Sequence, residues 1–448
     1  MTATHKPIGP GSHVFLVDGS SFVFRAYFQS IRQDAKYNYR SDRLPTGAVR
    51  LFCTKLLQFV REGAAGAMPT HLAIIFDKSE NSFRKALYPQ YKANRSEPPE
   101  DLIPQFPLMR AAVRAFGLMP IEQDVYEADD LIATYAAQAR AKGADVLIVS
   151  ADKDLMQLVG PGVVMYDPAS GAREERVITE NEVVDYFGVT PDKVVDVQAL
   201  AGDSTDNVPG AKGIGVKTAA QLINEYGDLD TLLEKAPQIK QPKRREALTE
   251  PEAVALIRLS KKLVELVRDA PVETALDDLG LHEPDAKTLV AFLQAMEFTT
   301  ITRRVAELYD VDANEIAPDP AFVGPAGWRA RNGEMREDAP ASAETAPQPA
   351  TKSATDDTMT PAALAAARRA QTQTTKIDRA TYECVTSLAR LEQWIADATD
   401  AGVVAVDTET TSLDPMSCDL VGVSLALAPD RACYIPLQHR TDLSLIHI

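Results

Sequence analysis

The sequence predicts an α/β core with a central, mostly parallel sheet over residues 12–180, continued by a mainly helical part over 181–308. Two observations carry this. Apolar runs at 14–17, 72–76 and 146–149 have the unbroken hydrophobicity of strands buried on both faces. Helical patterns lie between them, at 48–61 and 131–141, and such alternation marks βαβ units. After residue 180 strand signals fade.

Further along, residues 309–378 read as a flexible linker. Ala, Pro, Thr, Ser and Asp dominate there, with too little apolar periodicity to bury; a short helix is expected around 361–370. A second ordered α/β segment follows at 379–442, with a helical pattern at 388–398 and strands at 403–406 and 420–427. Residues 443–448, Leu-Ser-Leu-Ile-His-Ile, read as a scar translated from a library adaptor and are left out of fold reasoning.

No apolar run approaches the roughly 18 residues of a membrane span, and no signal peptide is expected at the N-terminus. The four cysteines are scattered, without the Cys-x-x-Cys spacing of a zinc site, which fits a reducing cytoplasm. The net charge of −17 speaks against a nucleic-acid partner as a sum. Its distribution speaks otherwise, because acids that hold divalent cations are not negative in the loaded protein.

Asp18 directly follows the first apolar run, Asp77 the second, and Asp152 and Asp154 come just after the third. A single acid after a strand is an ordinary turn residue. Three strands delivering acids to one edge of a parallel sheet place them where α/β folds bind ligands. Glu127, Asp129 and Asp130 precede the helical run at 131–141, more negative charge than a helix cap requires. Asp203 and Asp206 complete the set, in a loop that lacks the full ligand spacing of an EF-hand. These nine carboxylates form an all-oxygen donor set that suits Mg²⁺ or Mn²⁺ and not Zn²⁺. Two ions about 4 Å apart would clamp an in-line phosphoryl displacement.

Basic residues concentrate immediately after Asp77: Lys78, Arg84, Lys85, Lys92 and Arg95, interleaved with Phe83, Tyr88 and Tyr91. Cations for phosphate and rings for stacking make a single-strand site, where the plain alternative is a solvated loop. A second element is the glycine-rich run at 208–223. Gly210, Gly213 and Gly215 leave amides open before a helix, and Lys212 and Lys217 add charge. It reads as a helix–hairpin–helix grip on a duplex backbone.

Taken in order, Val17-Asp18-Gly19-Ser20-Ser21, Tyr91-Lys92-Ala93-Asn94-Arg95, Glu127-Ala128-Asp129-Asp130, Ser150-Ala151-Asp152-Lys153-Asp154 and the run 202–215 resemble the 5′–3′ exonuclease domains of bacterial DNA polymerases I, a branch of the flap endonuclease family. The resemblance implies a PIN-like fold, a helical arch over the site and a helix–three-turn–helix module. It implies cleavage of 5′ flaps, 5′ ends and RNA primers at single-strand/duplex junctions or nicks, by a monomer of the bacterial nucleoid. It assigns Lys92 and Arg95 to the scissile phosphate, Tyr91 to a terminal base and a K⁺ ion to the hairpin; Phe83 and Arg84 are read from the basic segment itself as contacts to the single strand.

Asp407 and Glu409, two apart on a strand, share a face. They resemble the first metal-ligand motif of a 3′–5′ proofreading exonuclease of RNase H-like fold. The rest of that site has no counterpart before Ile448, nor has a polymerase domain, so neither proofreading nor synthesis is expected. Two rival readings stand beside the nuclease: a PIN-type ribonuclease, and a DNA-structure-binding module without catalysis. The hairpin opposes the first and the full set of acids opposes the second.

Overall fold

The computed structural model describes residues 5–79, 81–168, 174–323, 382–401, 404–411, 419–428 and 430–437. The expected linker begins too early: residues 309–323 are ordered, with Tyr309, Val311, Ile316 and Phe322 packed on the core; the rest of the linker to 378, its short helix and the adaptor-like tail lie outside the described residues. The chain divides into two compact units, residues 1–341 and 342–448.

The first unit is built on a six-stranded sheet. Its strands are β1 (His13–Asp18), β2 (His71–Ile75), β3 (Pro120–Ile121), β4 (Asp145–Val149), β5 (Val163–Asp167) and β6 (Arg176–Ile178). The order is β3-β2-β1-β4-β5-β6, all parallel except the β5/β6 pair. The register pairs Val17 with both Ile74 and Val149, so β1, β2 and β4 end together. That alignment puts Asp18, Asp77 and Asp152 at one edge.

Alternate residues of the strands enter two cores, which explains the unbroken apolar runs. Val14, Leu16, Ile75, Val146 and Ile148 pack on α5 (Ala128–Ala141). Phe15, Val17, Leu72, Ile74 and Val149 face the opposite layer. That layer holds α1 (Gly19–Ser30), α2 (Gly47–Glu62), α4 (Gln105–Ala115), α12 (Ala286–Ala295) and α13 (Thr299–Leu308). The segment after Asp77 carries one five-residue helix, α3 (Phe83–Leu87), and then turns.

Residues 180–264 are helical: α6 (Glu180–Phe187), α7 (Val194–Ala201), α8 (Val216–Tyr226), α9 (Leu229–Lys235), α10 (Pro242–Thr249) and α11 (Pro251–Val264). Helix α6 starts with a capping box of Thr179 and Glu182 and ends at Gly188, in the left-handed region. No helix among the described residues is long and apolar enough to cross a membrane.

The second unit has a four-stranded sheet of order β7-β10-β9-β8. Its elements are β7 (Glu383–Cys384), α14 (Leu388–Ala401), β8 (Ala405–Thr410), β9 (Leu420–Ala428) and β10 (Arg431–Pro436). Val385, Trp394, Cys433 and Ile435 form its core. Asp407 and Glu409 are both exposed on β8, on one face. β3, β5, β6, β7 and β10 were not expected from sequence: β3, β6 and β7 are too short to show a period, and the short apolar runs of β5 and β10 were not read as strands.

Candidate active site

Asp18 ends β1 and caps α1. Its Oδ1 accepts the Ser21 amide at 2.9 Å, and its Oδ2 accepts the Ser150 hydroxyl at 2.7 Å. Burial, reinforced by Asp152 and Asp77 against these hydrogen bonds, pushes its pKa up to about 7. Asp77 Oδ1 accepts the Ala128 amide at 2.8 Å, which joins the β2 edge to the start of α5. Asp129 lies in the first turn of that helix. Burial, then the charges of Asp152 and Asp18, hold its carboxyl well above the usual range. Asp152 accepts the Asp154 amide at 2.9 Å. Asp154 is pushed up to about 6 by burial and Asp152, against Lys153 and the Gln198 amide at 2.5 Å. Asp18, Asp77, Asp129 and Asp152 thus repel one another, and none of them has a basic side chain at salt-bridge distance among the described residues.

The remaining acids are neutralised by the protein's own cations. Glu127 accepts Lys92 Nζ at 2.9 Å and the Ser82 hydroxyl at 2.8 Å; burial raises its pKa, but Lys92 and Arg84 outweigh it and the net shift is downward. Asp206 pairs with Arg95 at 2.5 Å, with Lys92 at 3.7 Å. Asp203 pairs with Lys153, which offsets burial and lowers its pKa; Lys153 also reaches Asp154 at 3.3 Å. Among the described residues no group of three acids, histidines or cysteines stands as a ready-made metal cage. The donor chemistry nevertheless fits a hard divalent cation: the donors are all oxygen, and four mutually repelling carboxylates stand together.

The basic segment docks directly on the loop that carries Asp203 and Asp206. The Lys92 amide donates to Asp206 O at 2.9 Å, the Asn94 side chain to Ser204 O at 2.7 Å, and the Asn207 side chain to Gln90 O at 2.6 Å. Lys92 and Asn207 both have left-handed backbones, with φ of 56° and 57°. Such conformations persist where the surroundings over-determine them.

Four sequence-based assignments change. Arg84 does not face a nucleic acid: it is 1% exposed and forms a bidentate pair with Asp130, at 2.7 and 2.8 Å. Asp130 is not free for a metal, since its oxygens also accept the Glu127 and Val267 amides, at 3.1 and 3.0 Å. Tyr91 is not a free stacking platform; it packs with Val208, Leu263 and Val264, and its hydroxyl points at Glu127. Gly210 is buried, and its amide donates to Ser260 Oγ at 3.0 Å, not to a phosphate. By contrast Lys212, Gly213, Gly215 and Lys217 are exposed at the start of α8, and Phe83 is half-buried against Tyr126.

Lys153, Ser150 and Gln198 belong to the site and were missed as functional side chains. Lys153 carried a signal, a cation between two acids; Gln198 carried none, because only tertiary packing brings α7 to Asp154.

Comparison with known proteins places the chain among nuclease families. Residues 13–188 match the 5′–3′ exonuclease N-terminal resolvase-like domain, 189–287 the 5′–3′ exonuclease C-terminal SAM fold, and 382–446 a 3′–5′ exonuclease. DNA polymerase I of Rhizobium leguminosarum is 49% identical over 466 residues, covering 98% of this chain and 45% of the relative. DNA polymerase I of Chloroflexus aurantiacus is 33% identical over 435 residues, covering 95% and 42%. A solved structure of the T5 D15 protein co-crystallized with metal ions is 18% identical, with a TM-score of 0.46, covering 66% of this chain and 99% of that one. The chain spans less than half the length of these two polymerases. With both 5′–3′ exonuclease domains matched back to back over 13–287, the chain belongs to the 5′–3′ exonuclease family.

Proposed function

We propose that the chain is a structure-specific 5′ nuclease that hydrolyses phosphodiesters at 5′ flaps, 5′ ends and RNA primers in DNA, in replication and repair. The observation that carries this reading is the group of Asp18, Asp77, Asp129 and Asp152, without basic partners among the described residues, beside Lys92 and Arg95. The relatives are DNA polymerases, which makes DNA the fitting substrate.

In this reading those four acids, with Asp154, Glu127, Asp203 and Asp206 around them, would hold two or more Mg²⁺ or Mn²⁺ ions. Such ions supply an activated water and charge compensation at the leaving oxygen. Lys92 and Arg95 stabilise the negative charge that develops on the scissile phosphate. Gly213, Gly215, Lys212 and Lys217 hold the duplex backbone, with K⁺ on the hairpin carbonyls. Phe83 lies along the path of the single strand. Asp407 and Glu409 are proposed as ligands of a second metal site, in the segment that matches a 3′–5′ exonuclease.

A labelled 5′-flap DNA tests the reading. Mg²⁺-dependent cuts near the single-strand/duplex junction are expected. Faster cleavage of single-stranded RNA would point to a ribonuclease instead, and tight flap binding without cleavage to a binding module.

A further inference from the structure

We propose that Arg84 is a positioning residue of the nuclease site, acting on Glu127 directly, at 3.7 Å, and through Asp130 on the turn that carries Glu127 and Asp129. The inference rests on the nuclease reading above. Arg84 lies in α3, at the base of the segment that carries Lys92 and Arg95. Its fork donates to both oxygens of Asp130, at 2.7 and 2.8 Å. Its Nε donates to Leu263 O at 2.7 Å and its Nη2 to Glu265 O at 3.0 Å, at the end of α11. One planar group therefore ties together the basic segment, the first turn of α5 and the α11 terminus.

Asp130 passes the constraint on. It is fully buried, and its remaining acceptor positions take the Glu127 and Val267 amides. Glu127, the N-cap, and Asp129 precede it in the same turn, so that turn cannot rotate without breaking the pair. A buried ion pair is weak support for stability, because apolar residues of similar volume often do as well. What such a pair supplies is a fixed geometry, and here it sets the spacing between phosphate-binding cations and metal-facing acids. Lysine, a point charge, lacks the fork that holds three elements at once.

The test uses the full chain with Arg84→Lys and with a double variant, Arg84→Met plus Asp130→Leu, which leaves no charge buried alone. Four quantities are read: melting temperature, Mn²⁺ affinity without DNA, affinity and salt dependence for a labelled 5′-flap oligonucleotide in Ca²⁺, and kcat and KM in Mg²⁺. Expected for both variants are a roughly 10- to 100-fold loss in kcat and in Mn²⁺ affinity, the range for removing an outer support of a metal site. Flap affinity and its salt slope should stay as in the wild type. The double variant also leaves the Leu263 and Glu265 carbonyls and the Glu127 and Val267 amides without these partners, so it should melt below the wild type; the other three quantities are read below its melting temperature, which separates the effect from unfolding should Arg84→Lys fail to fold. Loss of flap affinity with a salt slope shallower by about one would make Arg84 a phosphate contact and overturn the proposal. So would a double variant with wild-type kcat and Mn²⁺ affinity. If the wild type does not cleave the flap, the nuclease reading fails, while Mn²⁺ affinity still decides the positioning claim.

Discussion

Lys92 Nζ lies 2.9 Å from Glu127 Oε2 and 3.7 Å from Asp206 Oδ2. The cation assigned to the substrate phosphate is thus also the counter-ion of two acids assigned to the metal site. Burial disfavours its charge, but Glu127, Tyr91 and Asp206 outweigh that and raise its pKa, so it stays charged.

This double role makes Lys92→Met informative. Expected is a drop in kcat of about 10²–10³-fold, the usual effect of removing a group that stabilises developing charge. Stability without metal should fall by about 1 kcal/mol, since the lost pair is only part-buried. Steady-state cleavage and urea denaturation check the two halves. An unchanged kcat would remove Lys92 from the chemistry.

Asp129→Asn separates metal-site chemistry from fold. Its pKa is raised by burial, Asp152 and Asp18, so removing its charge relieves repulsion. Flap cleavage in Mg²⁺ should fall at least about 100-fold. The melting temperature in EDTA should rise. A stable variant with full activity would refute the assignment.

The pH dependence of metal-free stability has a definite sign. Asp18 has an ordinary pKa of 3.8 and is pushed up to about 7 by burial and by Asp152 and Asp77. Between those values the folded chain keeps a proton that the unfolded chain has lost, so this group's contribution to stability falls as pH rises through the window. Asp154, pushed up to about 6, acts in the same direction. Glu127 and Asp203, with lowered values, act in the opposite direction below about pH 4.5. Divalent cations need the deprotonated acids, so the gain in melting temperature on adding Mg²⁺ should grow from ~pH 5 to ~pH 7.5. Thermal melts in EDTA and in Mg²⁺ measure it, and a gain that is flat across that range would contradict the assignment.

Two glycines of the hairpin should respond differently to alanine. At Gly210, with φ of +62°, an added Cβ would meet the Gly202 amide nitrogen at 2.4 Å, so backbone must move. At Gly213, with φ of +77°, the Cβ would meet open space. Gly213→Ala should cost about 1 kcal/mol from the left-handed backbone alone. Gly210→Ala should cost more than about 2 kcal/mol. Chemical denaturation of both variants checks the order, and equal costs would contradict the close packing of Gly210 on Gly202.

Much of the fold was legible because it rests on local patterns. The runs that became β1, β2 and β4 announced themselves by unbroken apolar residues, and the helical stretch after residue 180 by the fading of strand signals. The strand-end positions of Asp18, Asp77 and Asp152 followed from chain order alone, because parallel strands share one carboxyl edge.

Residue type and spacing also marked which side chains carry charge, but not what each charge faces. Arg84, Lys92 and Arg95 look alike along the chain, yet Arg84 is sealed against Asp130 while Lys92 and Arg95 stand among the acids. Tyr91 and Gly210 read as open to a ligand and are packed inside. Gln198 reaches Asp154 only because α7 packs against the turn Lys153–Leu158. The sequence by itself determined three strands of the central sheet, the acids and the family likeness, since these rest on periodicity and composition within short windows. Tertiary structure alone decided which cations bind substrate and which hold the frame, because burial and pairing depend on elements far apart in the chain.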